Sequence, residues 1–300
     1  MAELEDSLPE RPQLEYEEIK LREAPGDALF QANPFENSVG HFWGIYPTRD
    51  YMTARFTHVE GLLKFDTFEA VRTSLEHLED MLRLCRGDNM GVRALMPALY
   101  LRLGRDQDCY DFIKWWVTVS EESRYDFGNM DSPYLDLHGA DAFEPIEKCK
   151  PVYRLPMLVS LMLLKIRLLL DLRSLENAVT VGEKIPQEIL DSVREQMASP
   201  IIRSNQALMK NMTNGKPLTP YITGLESQLR ELYDHGKSEN KHMWPALLFP
   251  GKHPTARPQY TSYGGVEEMQ MALQYNYRAW IETPGGLEVI KTLASKDGGR

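Results

Sequence analysis

Apolar residues recur along this chain at three- and four-residue spacing, and one stretch of that pattern is written more than once. Residues 54–70 read ARFTHVEGLLKFDTFEA and residues 92–108 read VRALMPALYLRLGRDQD. An offset of 38 lays Arg55 on Arg93, Leu63 on Leu101, Lys64 on Arg102 and Asp66 on Gly104. A third stretch, Leu169–Glu176, matches Leu62–Glu69 at a distance of 107 positions. Repeats of this length are the mark of stacked helix pairs.

The pattern predicts a first helix from an N-cap at Thr48 or Asp50 to about Phe65. Its partner spans 67–84, with Phe68, Val71, Leu75, Leu78 and Leu82 on one face. Gly87 suits a left-handed helix end, and Asp88 or Asn89 suits the next start. A second pair spans 89–103 and 105–119, broken at Gly104, with Pro97 expected to kink its first helix. A third pair is expected over 155–172 and 174–182. Further helices are expected over 186–197, 200–212, 219–235 and 267–281, and a last one after Thr283 as N-cap and Pro284 at the first position. Alternating strand patterns are almost absent. The fold class is therefore all-α: antiparallel helix hairpins with two long irregular loops.

Residues 1–34 hold nine acidic and three basic side chains and few large apolar ones, which predicts an acidic disordered arm. Residues 35–295 then form a single helical-repeat domain, with repeats near 50–86, 88–119 and 155–183. Irregular insertions occupy 120–153 and 238–265, and residues 296–300 are a frayed tail. Phe35, Phe42, Trp43 and Tyr46 are placed to cap the first repeat. Tyr125, Phe127, Tyr134 and Phe143 are placed to pin the first insertion to the body.

A net charge of −10 counts against nucleic acid as a partner, since phosphate binding draws on clustered Lys and Arg. The apolar run 155–172 is broken by Lys165, Arg167 and Asp171, so it reads as a buried helix and not a membrane span. Of three cysteines, Cys85 and Cys109 fall in helical apolar patterns and read as reduced, buried thiols. With an acidic N-terminus that is no signal peptide, this predicts a cytoplasmic or nuclear protein.

At 100–115 the chain reads YLRLGRDQDCYDFIKW, which resembles the second half of a tetratricopeptide unit. Tyr100 falls on the tyrosine of its first helix, Gly104 on the turn glycine and Cys109 on the small residue of its second helix. Arg93 stands where that family has tryptophan, Pro97 where it has a small residue, and the period is longer. The stretch from Gly40 to Trp116 is also similar to a group of fungal proteins with tetratricopeptide-like repeats. Some of those carry a MYND-type zinc finger, whose cysteine array is missing here. The resemblance implies a right-handed array with an inner groove formed by the first helix of each pair. It puts Phe56, Glu60 and Lys64 from one unit and Ala98, Leu101 and Arg102 from the next along that groove. Lys64 and Arg102 would hold a carboxylate or an acidic peptide.

Motifs for phosphate cradles, nucleophile elbows, kinases and zinc sites are missing, so no catalytic residue, cofactor or metal is assigned. His235 and His242 lack a zinc spacing. Residues 125–147 bring Asp126, Asp131, Asp136, Asp141 and Glu144 near His138, the one setting for acid–base chemistry and so for an enzyme of unfamiliar class. Aspartates at such positions are also ordinary turn formers. The reading that follows is a protein-interaction or scaffold module binding a protein or peptide. The alternatives are that enzyme, or a structural domain with no activity of its own.

Overall fold

The computed structural model describes residues 8–26, 30–121, 124–149, 155–182, 199–214 and 216–297. Among them lie 13 α-helices and several short 3-10 turns, with no strand beyond an isolated bridge between His41 and Cys85. The chain divides into two compact units where one continuous array was expected. Unit 1 is Met1–Leu103 with Val119–Asp136, and unit 2 is Gly104–Thr118 with Leu137–Arg300.

In unit 1 the helices are α1 (Arg11–Glu23), α2 (Pro34–Asn37), α3 (Arg49–Leu62), α4 (Phe68–Leu84) and α5 (Met96–Arg102). The expected acidic arm is corrected by α1, which packs on α3 and buries Leu14 and Leu21. Its charges sit at helical spacing and pair with one another, Arg11 with Glu15, Lys20 with Glu17 and Arg22 with Glu18. An acidic composition thus coexists with an ordered helix. Thr67 caps α4 by accepting from the Ala70 amide. The left-handed residue after α4 is Asp88 (φ 49) and not Gly87, and its carboxylate accepts from the Val92 and Arg93 amides. Pro97 does not kink a helix interior: it lies in the first turn of α5, where a proline removes no helical bond.

The helix α6 (Asp106–Glu121) begins 38 residues after α4 does. Asp66 (φ 54) and Gly104 (φ 69), one period apart, are both left-handed and each stands two residues before a helix start. Val71 and Cys109, Leu75 and Ile113, and Leu78 and Trp116 stand at matching positions, and all six are buried. The sequence repeat is therefore a repeat of backbone conformation and of burial.

Unit 2 adds α7 (Leu155–Gly182), α8 (Pro200–Ser204), α9 (Gln206–Thr213), α10 (Thr219–Glu239), α11 (Met243–Leu248), α12 (Val266–Ile281) and α13 (Gly286–Asp297). The third expected hairpin is corrected: α7 is one unbroken helix through Arg173, and Ser174 starts nothing new. The expected helix over 186–197 lies outside the described residues. Two helices, α8 and α9, replace the one expected over 200–212. The helix expected to begin at Pro284 starts at Gly286, and it persists to Asp297 where a frayed tail was expected; residues 298–300 lie outside the described residues.

From Leu155 to Leu169 every residue of α7 except Arg167 is buried, and a helix of that kind must be surrounded. α10, α12 and α13 pack around it. Trp244, Trp280 and Tyr233 form a stack beside it, and Gly236 in α10 lets the Trp244 ring approach the helix backbone. The Trp244 indole N–H donates to the Tyr233 carbonyl at 2.9 Å.

Candidate functional site

In unit 2 a groove of about 340 Å³ lies between α7, α10 and α13. Its floor is Leu169 and Leu170 of α7, Leu229 of α10, and Val289 and Leu293 of α13. Its rim carries Arg173, Glu226, Arg230, Glu288 and Lys296. Arg173 and Glu226 pair across one side at 2.6 Å. On the other side Arg230 donates to the Leu293 carbonyl at 3.2 Å and stands 3.5 Å from the Asp297 carboxylate. Gly285 is left-handed (φ 82) just before α13, a conformation glycine adopts without strain, and it sits in van der Waals contact range of Leu170. An apolar floor with fixed charges of both signs at the edge is the make-up of a site for an apolar ligand with polar ends.

The residues expected to line a groove of first helices are placed differently. Ala98 and Leu101 are buried in unit 1 and offer no surface. The Arg102 guanidinium donates to the Asp66 carboxylate at 2.6 Å with its side chain only 8% exposed, so the turn of the preceding repeat holds it. Lys64 is exposed and faces Glu10 at 3.4 Å. Glu10 also lies over Gly61, where an added methyl would meet its carboxylate at 2.9 Å. Phe56 is half-buried and Glu60 exposed. The six therefore split into buried residues, one ion-paired arginine and exposed residues beside the N-terminal helix.

The stretch 125–147 divides between the units. In unit 1, Asp126 accepts from the Gly128 amide at 2.8 Å, a turn of the chain on itself. Arg86, itself buried, donates to the carbonyls of Asn129 and Ser132 at 2.8 and 2.6 Å and lies over the Tyr134 ring. In unit 2, Asp141 accepts from the Phe143 amide at 2.9 Å. Asp111 of α6 accepts from the Gly139 and Ala140 amides at 2.7 and 2.9 Å. Lys165 of α7, with no exposed surface, donates to the Ala142 carbonyl at 2.6 Å and the Glu144 carbonyl at 3.3 Å. Tyr110 and Lys114 both hold the Glu144 carboxylate. Asp131, Asp136 and His138 are exposed. Buried polar groups are stable when their partners are supplied, and here the partners are loop backbone.

The most perturbed acid lies elsewhere, at the first residue of α6. Burial pushes the Asp106 carboxyl up to about 6, Arg167 at 3.0 Å opposes that rise, and Asp171 adds to it. Burial likewise pushes the Cys109 thiol well above its ordinary value, so this cysteine packs as a small apolar side chain. Cys85 is also free and buried, and the side chain of Cys149 lies outside the described residues. No group of three or more His, Cys, Asp or Glu that could hold a metal occurs among the described residues, and none of their helices is long and apolar enough to cross a membrane.

Sequence reasoning passed over the groove in unit 2. Leu169 and Leu170 lie inside the run that reads as a buried helix, and the pair Gly285–Gly286 stands at the start of α13. The signal available was that pair: a left-handed glycine directly before a helix marks a close approach of backbone to a neighbour. These features define an all-α protein with an apolar groove in unit 2. No family model matches the chain, and no curated protein or solved structure matches it either.

Proposed function

We propose that the chain is a protein-interaction module whose groove between α7, α10 and α13 takes a short apolar segment of a partner protein. The observation that carries this is the groove itself: about 340 Å³ over Leu169, Leu170, Leu229, Val289 and Leu293, edged by charges of which Arg173, Glu226 and Arg230 are already paired. Paired rim charges cost little desolvation when a ligand covers them, and an apolar floor rewards two or three aliphatic or aromatic side chains at roughly 25 cal/mol per Å² removed from water. The accompanying reading of the architecture is a tetratricopeptide-like array, supported by the 38-residue recurrence of left-handed turn, helix start and buried positions. The occupied state of Arg102 and the burial of Ala98 and Leu101 move the binding role from the first-helix groove to unit 2.

The test is selection of displayed random peptides on the wild-type protein, followed by affinities on Val289→Glu and Leu170→Glu, both checked for helix content by circular dichroism. The expected result is peptides with two or more large apolar residues whose binding weakens by at least about tenfold on either variant. Peptides that bind both variants as tightly as wild type, or a selection that enriches nothing, would overturn the assignment.

A further inference from the structure

In a chain that carries 44 acidic residues, the stretch Asn240–Val266 of unit 2 contains no aspartate or glutamate. Lys241, Lys252 and Arg257 within it are exposed, and among the described residues none of the three pairs with a carboxylate. Phe249, Tyr260 and Tyr263 are 79%, 72% and 74% exposed. This is not a slack loop. Met243, Trp244 and Leu247 beneath it are buried. Asn240 donates to the Gly265 carbonyl at 2.8 Å, and Gln274 donates to the His253 and Ala256 carbonyls at 3.2 and 2.8 Å. The bordering acids are engaged: Glu239 accepts from the Tyr263 hydroxyl, and Glu268 accepts from Asn240 and from the Gly264 amide. Rigid backbone thus presents three aromatic rings and three uncompensated cations to solvent.

We propose that this face binds an acidic segment of a partner protein carrying aromatic or aliphatic side chains. Fixed aromatic rings are the usual anchors of such contacts, because burying them costs little side-chain entropy. The cations supply charge complementarity and a faster encounter. Three cations are few for a polyanion: nucleic-acid binding of useful strength draws on roughly six to ten phosphate contacts, and the charge of −10 over the whole chain repels a long phosphate backbone. Attraction of about 1 kcal/mol per cation is likewise too little to hold the protein on an anionic membrane without a second anchor. The inference rests on the reading of the chain as a protein-interaction module, but it uses a different face from the groove.

The test is fluorescence anisotropy with a labelled dodecapeptide of glutamate, aspartate and phenylalanine, and with a control in which glutamine and asparagine replace the acids. The proteins are wild type, Lys241→Glu/Lys252→Glu/Arg257→Glu, Phe249→Ala/Tyr260→Ala, and Val289→Glu as the groove variant. All substituted loop residues are exposed, so folding is retained, and circular dichroism checks it. The acidic peptide is expected to bind wild type and Val289→Glu alike and to weaken about tenfold or more on each loop variant. Added salt should cut its affinity for wild type and for Phe249→Ala/Tyr260→Ala in the same proportion. Three results would overturn the proposal: no binding of the acidic peptide to wild type, loss only on Val289→Glu, or tighter loop-dependent binding of an oligouridylate or of phosphatidylserine vesicles. The first and third leave the groove reading standing, whereas a failed display selection leaves this one standing.

Discussion

Both units pin half of the first insertion with a buried cation, yet they do so in different surroundings. In unit 1 Arg86 reaches the carbonyls of Asn129 and Ser132, on a loop that water also reaches. In unit 2 Lys165 emerges from the buried part of α7 and ends on the carbonyl of Ala142, which is itself buried. The same bond geometry is replaceable by solvent in one unit and irreplaceable in the other. Unit 1 is a set of mostly short helices whose turns carry the specification. Unit 2 is a body wrapped round one long helix, where depth makes each polar or steric detail expensive to alter.

The largest difference should therefore come from crowding around α7. A methyl group added at Gly236 would lie 2.5 Å from the Trp244 ring and 3.0 Å from Leu158. In an exposed helix Gly→Ala gains up to about 1 kcal/mol. Here overpacking reverses the sign, and Gly236→Ala should lose about 2–3 kcal/mol in urea unfolding. Trp244→Ala, which empties the stack, should lose about 3–5 kcal/mol. A stabilised Gly236→Ala protein would show that the Trp244 stack yields, and would remove the contrast in depth.

Next comes the pair of cations. Lys165→Met keeps the apolar stem but removes the ammonium that donates to the buried Ala142 carbonyl, and should cost about 3 kcal/mol. Arg86→Met exposes its partners to water and should cost about 1 kcal/mol. Equal losses in urea titrations would break the comparison.

The units should also respond to pH in opposite directions. In unit 1, burial lowers the His77 imidazole to about 4, helped by Arg55, whose guanidinium donates to its Nδ1 at 3.1 Å, and by His58. A histidine with a folded value below its unfolded 6.5 contributes stability that is complete above 6.5 and is lost as pH falls through about 4. In unit 2 the Asp106 carboxyl, raised from 3.8 to about 6, has the reverse sign: its contribution is complete below 3.8 and lost as pH rises through about 6. Each swing is at most about 3 kcal/mol. His77→Gln should raise stability at pH 4.5 relative to pH 7, and Asp106→Asn should raise it at pH 7 relative to pH 4.5. Unfolding curves at the two pH values separate the cases, and parallel shifts at both would remove the assigned titrations.

What sequence could show follows the same division. Helical periodicity revealed the all-α class and the starts of α4 and α6, because local turn chemistry at Asp66, Thr67 and Gly104 marks them. It misread α1, whose acids are tied up by neighbours one helical turn away. It also cut α7 in two at Arg173, because the repeat match outweighed the better signal that an all-round apolar run belongs to one surrounded helix. The groove and the basic aromatic face went unseen for a shared reason. Both are assembled from segments far apart in the chain or from exposed side chains without a period, and only packing of α13 on α7 and of the second insertion on α12 brings them into being.

The smallest effect tests the repeat itself. Gly104 is left-handed, and an added methyl there meets nothing within 4 Å, so Gly104→Ala isolates the backbone cost of about 1 kcal/mol. At the matching position Asp66 already bears that cost, and it recovers part of it through the Arg102 ion pair at 2.6 Å. Asp66→Gly relieves the backbone and breaks the pair, and the two should nearly cancel, leaving stability within about 0.5 kcal/mol of wild type. Asp66→Ala, which keeps the strain and breaks the pair, should fall by about 1 kcal/mol relative to Asp66→Gly. If Gly104→Ala unfolds at the wild-type urea midpoint, the second turn has another conformation open to it. The two helix pairs would then share a sequence period without sharing the turn that makes one pair a copy of the other.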